Sequence, residues 1–429
     1  MGSINIVRIS DPHFEKSFQA LLQRKVAMSA DVEVLVKTIL RSVQNKGDSA
    51  LFDYAEKYDH TTVDAATAMI SPEEIDAAYT TMDTQQINDF RLAAERIEAF
   101  HKKRFRHLIS KEPADGTVDE VIRPLEKVGI YVPGGKALYP SSVLMTAIPA
   151  RVAGVEEIVM VSPRVSSSVL AAAKIAGVSR VYRIGGAHAI AALAYGTETI
   201  PQVDKIVGPG NVYVETAKRL VFGTVGIDML AGPSEVLIVA DETAVPSFAA
   251  ADLIAQAEHD EDALCIIIAT SEAFLTAVEK ELFLQLESAK RQSIARKSIE
   301  NNCVMIVAHP IDKALQLANR IAPEHLELMT ENPEMLFKKI TNAGAVFLGH
   351  YSPVAVGDYL AGPSHVLPTG GTARFFSPLG VEDFVKRISI ISFSKDGLSK
   401  LGNTVTRFAQ LEGLEAHAKA IQIRISPDD

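Results

Sequence analysis

From about residue 125 onward, short runs of aliphatic and β-branched residues alternate with Ala-rich stretches of helical period. The first runs are KVGIYVP, EEIVMVSP, RVYRIGG and DKIVGPG, separated by SSVLMTAIPARVAGV, SSSVLAAAKIAGV and AHAIAALAYGT. A strand covered on both faces reads as a nearly continuous apolar run, and a parallel partner must be reached through a crossover, usually a helix. The rhythm therefore predicts parallel strands with right-handed helical crossovers, a doubly wound α/β domain. A second series follows: SEVLIVA, PSFAAADLIAQAEH, ALCIIIAT, a long helix from Ser271 to about Lys290, then NNCVMIVA. It closes with the helix IDKALQLANRI, the strand EHLELMT, a helix at PEMLFKKI and the strand AVFLG.

The fold class expected is α/β, with two successive Rossmann-like doubly wound α/β domains, a helical N-terminal segment and a small C-terminal segment. The boundaries fall at 1–124, 125–235, 236–380 and 381–429, and 429 residues suit several domains at roughly 150 residues each. In the first segment Ser71 is a helix cap, with Pro72 at the first helical position and Glu74 three residues after the cap. Ile87, Phe90, Ala94 and Ile97 follow at helical spacing, and the stretch reads as one amphipathic helix. The last segment reads as a strand or two and two helices, with too little core to stand alone.

Composition removes several function classes. Lys and Arg number 43 against 53 Asp and Glu, a formal charge of -10, so bulk attraction to nucleic acid is missing. No nucleic-acid partner is expected. The apolar runs end well short of the roughly 20 residues that span a bilayer, so no membrane partner is expected either. MGSINIVRISDPHFEKSF carries acidic residues and no apolar signal region, which points to the cytoplasm. Cys265 and Cys303 sit in the apolar runs ALCIIIA and NNCVMIV, the setting of buried thiols rather than nucleophiles.

The dinucleotide fingerprint G-x-G-x-x-G is absent. Three Gly-rich turns nonetheless follow predicted strands: Pro133-Gly134-Gly135, Gly185-Gly186 and Gly208-Pro209-Gly210-Asn211. They suit either ligand binding at strand carboxyl ends or plain strand-to-helix turns. On PSFAAADLIAQAEH, Gln256 and His259 share a helix face, as metal ligands or as a solvated helix end. Glu324-His325 juxtaposes a carboxylate and an imidazole, two proton acceptors of different basicity. The loop from Asp358 to His365 and the terminal Glu412 and His417 add further candidates. Asp, His, His and Gln would suit a zinc site with open positions. The residues alone reach an α/β enzyme and no further.

Ordered blocks across the chain closely resemble the histidinol dehydrogenase family. The most specific are AGPSE at 231–235 and AEH at 257–259. Supporting them are YVPGG at 131–135, GPGN at 208–211, APEHLEL at 322–328, GDYLAGPSHVLPT at 357–369 and LEGLEAHA at 411–418. The resemblance implies oxidation of L-histidinol to L-histidine through the aldehyde with two NAD. It implies one zinc per subunit, held by Gln256, His259, Asp358 and His417. It makes Glu324 and His325 catalytic and sets Ser234, Gln256, His259, His325, Asp358, His365, Glu412 and His417 around the substrate. Tyr131, His188 and Asn211 become the cofactor contacts. It also implies a homodimer with shared active sites, the tail bearing Glu412 and His417 completing the partner's site.

Three positions depart from the family pattern: His188 where Gln is usual, Val354 where many members have Glu, and Ser364 where Asn is common. An imidazole forms hydrogen bonds but lacks an amide's geometry, so His188 bears on cofactor binding. The rival readings are a related zinc- and NAD-dependent dehydrogenase of another primary alcohol, a zinc hydrolase using Glu324, and a metal-binding protein without turnover. Formation of NADH on adding histidinol separates them.

Overall fold

The computed structural model describes residues 4–23, 30–109, 118–134 and 138–425. Gly135 of the first Gly-rich turn lies outside the described residues. In chain order the strands are β1 (Ile6–Arg8), β2 (Val118–Pro124), β3 (Lys127–Tyr131), β4 (Glu157–Val161), β5 (Arg180–Tyr182), β6 (Lys205–Val207) and β7 (Gly226–Ile227). They continue with β8 (Glu235–Ala240), β9 (Leu264–Ala269), β10 (Cys303–Val307), β11 (His325–Met329), β12 (Ala345–Leu348) and β13 (Val385–Ile391). The chain forms two units, one from residues 1–105 and 125–384, the other from 106–124 and 385–429.

The first unit holds two parallel sheets, ordered β5-β4-β3-β6-β7 and β1-β10-β9-β8-β11-β12. Counted within its own series, each sheet runs third, second, first, fourth, fifth, so the architecture is duplicated as the two sequence series imply. The second sheet gains an edge strand, β1, which pairs Ile6 with Met305 in parallel. Three residues carry too little alternation to announce that strand.

Burial on both faces explains the apolar runs. Every residue of β8 is buried; Val236 and Ile238 pack towards the helices Pro246–Ala257 and Glu272–Leu286, while Leu237 and Val239 meet Phe14, Phe18 and the helix Ile311–Ile321. Over the first sheet, Val36, Ile39, Leu40 and Val43 of the helix Ala30–Lys46 join the core with Ile190 and Leu193. The N-terminal helices are thus a covering layer. Cys265 and Cys303 are register partners on β9 and β10, and burial pushes both thiols up, Cys265 to about 12.

One expected helix is split. Ser71 Oγ accepts the Glu74 N–H at 3.1 Å, as the sequence predicts, but the helix Pro72–Thr81 stops at an extended Met82. Asp83 then accepts the N–H groups of Gln85 and Gln86 and starts a second helix, Thr84–Ile109. The helix expected from Ser271 to about Lys290 runs Glu272–Leu286, and a further helix that was not expected, Gln292–Asn302, buries Ala295 and Ile299.

In the second unit β2 and β13 pair antiparallel, Val385 with Pro124 through Ile391 with Val118. The helices Lys395–Leu411 and Glu415–Ile425 meet where Gly402 lies against Ile421 and Ile425. Ile390, Ile391, Leu401, Phe408 and Leu411 are exposed on this unit. Among the described residues no helix is long and apolar enough to cross a membrane.

Candidate active site

The helix Ile311–Ile321 ends on Ala322 in the left-handed conformation, φ 50°, which costs a non-glycine residue about 1–2 kcal/mol. That turn, with Pro323 behind it, swings the chain into β11 and leaves Glu324 and His325 at the amino end of the strand. Glu324 is fixed from behind, its carbonyl accepting the Ala345 N–H at 2.8 Å. Gly344 passes so close that a Cβ there would stand 2.5 Å from the same oxygen.

Both side chains are held by the backbone of one residue, Glu235, at the start of β8. Its N–H donates to Glu324 Oε2 at 2.7 Å, and its carbonyl lies 2.8 Å from His325 Nδ1. A carbonyl only accepts, so Nδ1 carries the proton and Nε2 keeps its lone pair. Burial drives the His325 imidazole down to about 4, the Glu235 contact opposing and His259 and His365 assisting. Burial also holds the Glu324 carboxyl well above the usual range, with the Glu235 N–H pulling down and the charges of Glu235 and Asp358 pushing up. A neutral imidazole and an unusually basic carboxyl therefore stand side by side, His325 Nδ1 3.5 Å from Glu324 Oε2.

His365 repeats the pattern. Its Nδ1 donates to the Asp358 carbonyl at 3.0 Å and its Nε2 lies 3.3 Å from Ser142 Oγ. Asp358 sits in a short helix, Val354–Tyr359, within the Gly/Pro-rich loop. Burial raises its carboxyl to about 6 and lowers the His365 imidazole to about 4. Gln256 is buried near the end of the helix Pro246–Ala257 and His259 follows just beyond. Burial lowers the His259 imidazole, and its charge acts on both His325 and His365. These elements therefore gather His259, His325, His365 and Asp358 at the amino ends of the second sheet. The usual ligand crevice of such sheets is at the other, carboxyl, end, which explains why strand order alone does not find this site.

Neutral imidazoles, an amide oxygen and a carboxylate are donors that zinc accepts. Among the described residues no three His, Cys, Asp or Glu side chains form a metal-holding group. The ligand set implied by the resemblance draws only His259 and Asp358 of those types, with the amide of Gln256, from this unit; His417 is in the other. On donor chemistry the residues fit the ion.

The first sheet reverses its winding between β3 and β6, and the turns there gather the expected cofactor residues. Tyr131 ends β3, and its buried hydroxyl accepts the Gly186 N–H at 3.2 Å. Asn211 caps the helix Val212–Val221, accepting the N–H groups of Tyr213 and Val214. His188 is only 1% exposed, and its Nε2 lies 3.1 Å from Asp59 Oδ2, which also accepts the Gly185 N–H at 2.8 Å. Asp59 ends a π-helical turn, Ala55–Asp59, just before a left-handed His60. It was invisible in sequence, being 126 residues from its partner turn.

Ser234 lies in the loop before β8, its carbonyl accepting the Leu264 N–H at 2.9 Å. Glu412 and His417 belong to the second unit, both exposed, at the end of one terminal helix and in the first turn of the next. Ser364 is buried and its hydroxyl donates to the Met145 carbonyl at 3.2 Å, so a side chain smaller than Asn is accommodated with its polar group satisfied. The Val354 N–H donates to buried Glu327 at 3.0 Å.

Comparison with known proteins gives one consistent result. Residues 22–425 match the family model described as histidinol dehydrogenase. A Geobacter metallireducens protein named histidinol dehydrogenase is 51% identical over 424 residues, covering 97% of each chain. One from Listeria monocytogenes is 50% identical, covering 94% of this chain and 95% of the relative. The crystal structure of histidinol dehydrogenase from Elizabethkingia anophelis superposes with a TM-score of 0.91 at 36% identity, covering 100% of this chain and 99% of that one.

Proposed function

The chain belongs to the histidinol dehydrogenase family, NAD-dependent oxidoreductases, and on that premise we propose how its residues divide the reaction. L-histidinol is oxidised to L-histidinal and then to L-histidine, as the closing step of histidine biosynthesis in the cytoplasm, with one NAD reduced in each half. The observation that carries the assignment of roles is the clamp at Glu235, which leaves His325 Nε2 unprotonated and Glu324 basic in one buried pair.

In the first half His325 Nε2 accepts the hydroxyl proton as hydride leaves the adjacent carbon for the nicotinamide. The neutral form is available because burial has already removed the ring's own proton. The aldehyde has no second hydride to give in line with a proton until water adds to it. Glu324 takes a proton from that water, and its raised basicity favours the transfer. As water adds, the carbonyl oxygen takes back the proton held on His325 Nε2, and the ring, neutral again, accepts the proton of the hydrate as the second hydride departs.

Gln256, His259 and Asp358, with His417 of the partner, hold one zinc per subunit, which supplies an orienting template and secondary polarisation. Ser234, His365 and the partner's Glu412 complete the substrate's surroundings. The carboxylate of Glu412 suits a cationic amine, and His365 is supported in place by Ser142 and Asp358. Tyr131, Asn211 and the 185–188 turn form the NAD side. The homodimer is supported by the exposed apolar side chains of the second unit, among them Ile391, Phe408 and Leu411, which a lone chain leaves in water.

The test is NADH formation with histidinol in a panel of primary alcohols at saturating NAD. Two NADH per histidinol, with other alcohols slower, is the expected result. Preferred turnover of a different alcohol, or hydrolysis without NAD, overturns the substrate assignment.

A further inference from the structure

Three buried charges lie where the first sheet hands over to the loop that leads into the second. Lys218, 0% exposed at its side chain, lies 2.7 Å from Asp228 and 3.6 Å from Glu215, both 1% exposed. The surrounding backbone uses all three. Lys218 Nζ donates to the Gly208 carbonyl at 2.9 Å, and the Gly208 N–H donates to Asp228 Oδ2 at 2.8 Å. Glu215 Oε1 accepts the Gly210 N–H and its Oε2 the Ala231 N–H, each at 2.9 Å. One carboxylate therefore joins two loops, 208–211 ahead of the helix Val212–Val221 and 228–234 ahead of β8.

Burying ions is costly, and a well-packed apolar replacement is often as stable. What the charges add is direction, because both Glu215 oxygens, Asp228 Oδ2 and the Lys218 ammonium each hold a specified backbone group in a medium that shields them little. The loop they hold is also tight against β3: Gly208 has φ 108°, and a Cβ on it would stand 2.2 Å from the Tyr131 carbonyl. Burial pushes the Glu215 carboxyl up to about 7 against the pull of Lys218. Burial likewise opposes the Lys218 charge, yet Asp228 and Glu215 hold the ammonium above its usual range.

We propose that Glu215, with the Lys218–Asp228 ion pair, is a positioning device for hydride transfer, fastening the loop of Asn211 to the loop of Ser234 so that cofactor and alcohol meet at a fixed separation. It rests on the reading of Asn211 as a cofactor contact and Ser234 as a substrate contact. None of the three charges touches either ligand in this account. Their effect is exerted through the position of two loops, and a misplacement on the order of 1 Å costs up to about a hundredfold in rate.

The test uses Glu215→Gln in the zinc-loaded dimer, with Asp228→Asn as a second near-isosteric variant should the first fail to fold. Amide exchange in 208–211 and 229–234 is expected to accelerate at least about tenfold. KM for NAD should rise about tenfold and kcat fall, with zinc content unchanged. With carbinol-deuterated histidinol the isotope effect on kcat should increase as hydride transfer becomes limiting. Unchanged exchange in both loops overturns the fastening itself. Faster exchange with NAD affinity and isotope effect unchanged instead overturns the assignment of these loops to cofactor and substrate. Asn211→Ala separates the two failures, since intact NAD affinity in that variant removes the cofactor reading alone.

Discussion

His325 donates its Nδ1 proton to the carbonyl of Glu235 across 2.8 Å, and this fixes the tautomer that leaves Nε2 free. Asn at 325 keeps a donor for that carbonyl and loses the base. His325→Asn should therefore slow both oxidations, about 10²–10⁴-fold each, the range of a positioned general base. Glu324→Gln retains an oxygen for the Glu235 N–H, so the anchor survives while basicity goes. Histidinal oxidation should fall by a similar factor and histidinol-to-histidinal conversion by less than about tenfold. Separate assays of the halves check this; equal losses in both for Glu324→Gln would remove its distinct role.

Purified protein should carry about one zinc per chain, and chelation should abolish turnover. Metal analysis supplies a readout independent of activity: Gln256→Ala and His259→Ala should both lower zinc content, while Glu324→Gln should not. Full activity in demonstrably metal-free protein would remove zinc from the assignment.

Much of the candidate site was legible because its residues lie in short local blocks. Glu324 and His325 are adjacent, and His259 lies three residues after Gln256, in the turn that ends the helix Pro246–Ala257. The two parallel sheets were legible too, since burial on both faces writes apolar runs such as EVLIVA. What local pattern could not supply was contact across distance. Asp59 reaches Gly185 over 126 residues, and the clamp on His325 is a backbone carbonyl 90 residues away. Any residue type at 235 carries that carbonyl, so no side-chain pattern marks it. The helix break at Met82 was also missed, because an apolar stripe survives when a second helix begins soon after the first, and so was the short helix Gln292–Asn302.

His101 is buried with neither ring nitrogen hydrogen-bonded, and burial lowers its imidazole to about 4, Glu382 opposing and Arg104 assisting. The unfolded chain binds this proton near pH 6.5, the folded chain only near 4. The unfolded state thus holds more protons within that window, and the contribution of His101 to stability is lost as pH falls from 6.5 towards 4. His101→Leu should be neutral or stabilising at pH 7 and should flatten the decline by up to about 1.4 kcal/mol per pH unit. Denaturation midpoints of both proteins between pH 4 and 7 measure it; parallel curves would mean the ring finds a partner in solution.

The position of His188 changes what its substitution should do. Its ring is buried against Asp59, and Asp59 also holds the Gly185 N–H. Support of the proposed NAD turn then runs through the carboxylate. Asp59→Asn should raise KM for NAD about tenfold while leaving histidinol affinity within about twofold, a loss equivalent to one hydrogen bond to a charged group. His188→Gln should change NAD dependence less than Asp59→Asn does. Titration of both variants with NAD decides, and a larger effect from His188→Gln would favour direct contact between that side chain and the cofactor.

The shared site makes the most demanding prediction. In the proposed dimer each site combines His325 of one chain with His417 of the other. His325→Ala and His417→Ala proteins should each be nearly inactive, one lacking the base and the other a zinc ligand. In a mixed dimer one site collects both lesions and the other neither. Random re-association gives about half mixed dimers with one intact site each, so roughly a quarter of wild-type activity should return under two-fold symmetry. Differently tagged chains, co-expressed and purified through both tags, isolate the mixed species, whose activity should be about half that of wild type by the same reasoning. An inactive mixed dimer would place His417 in its own chain's site, since each site then carries one lesion, whereas a fully active His417→Ala homodimer would place it outside the metal site altogether.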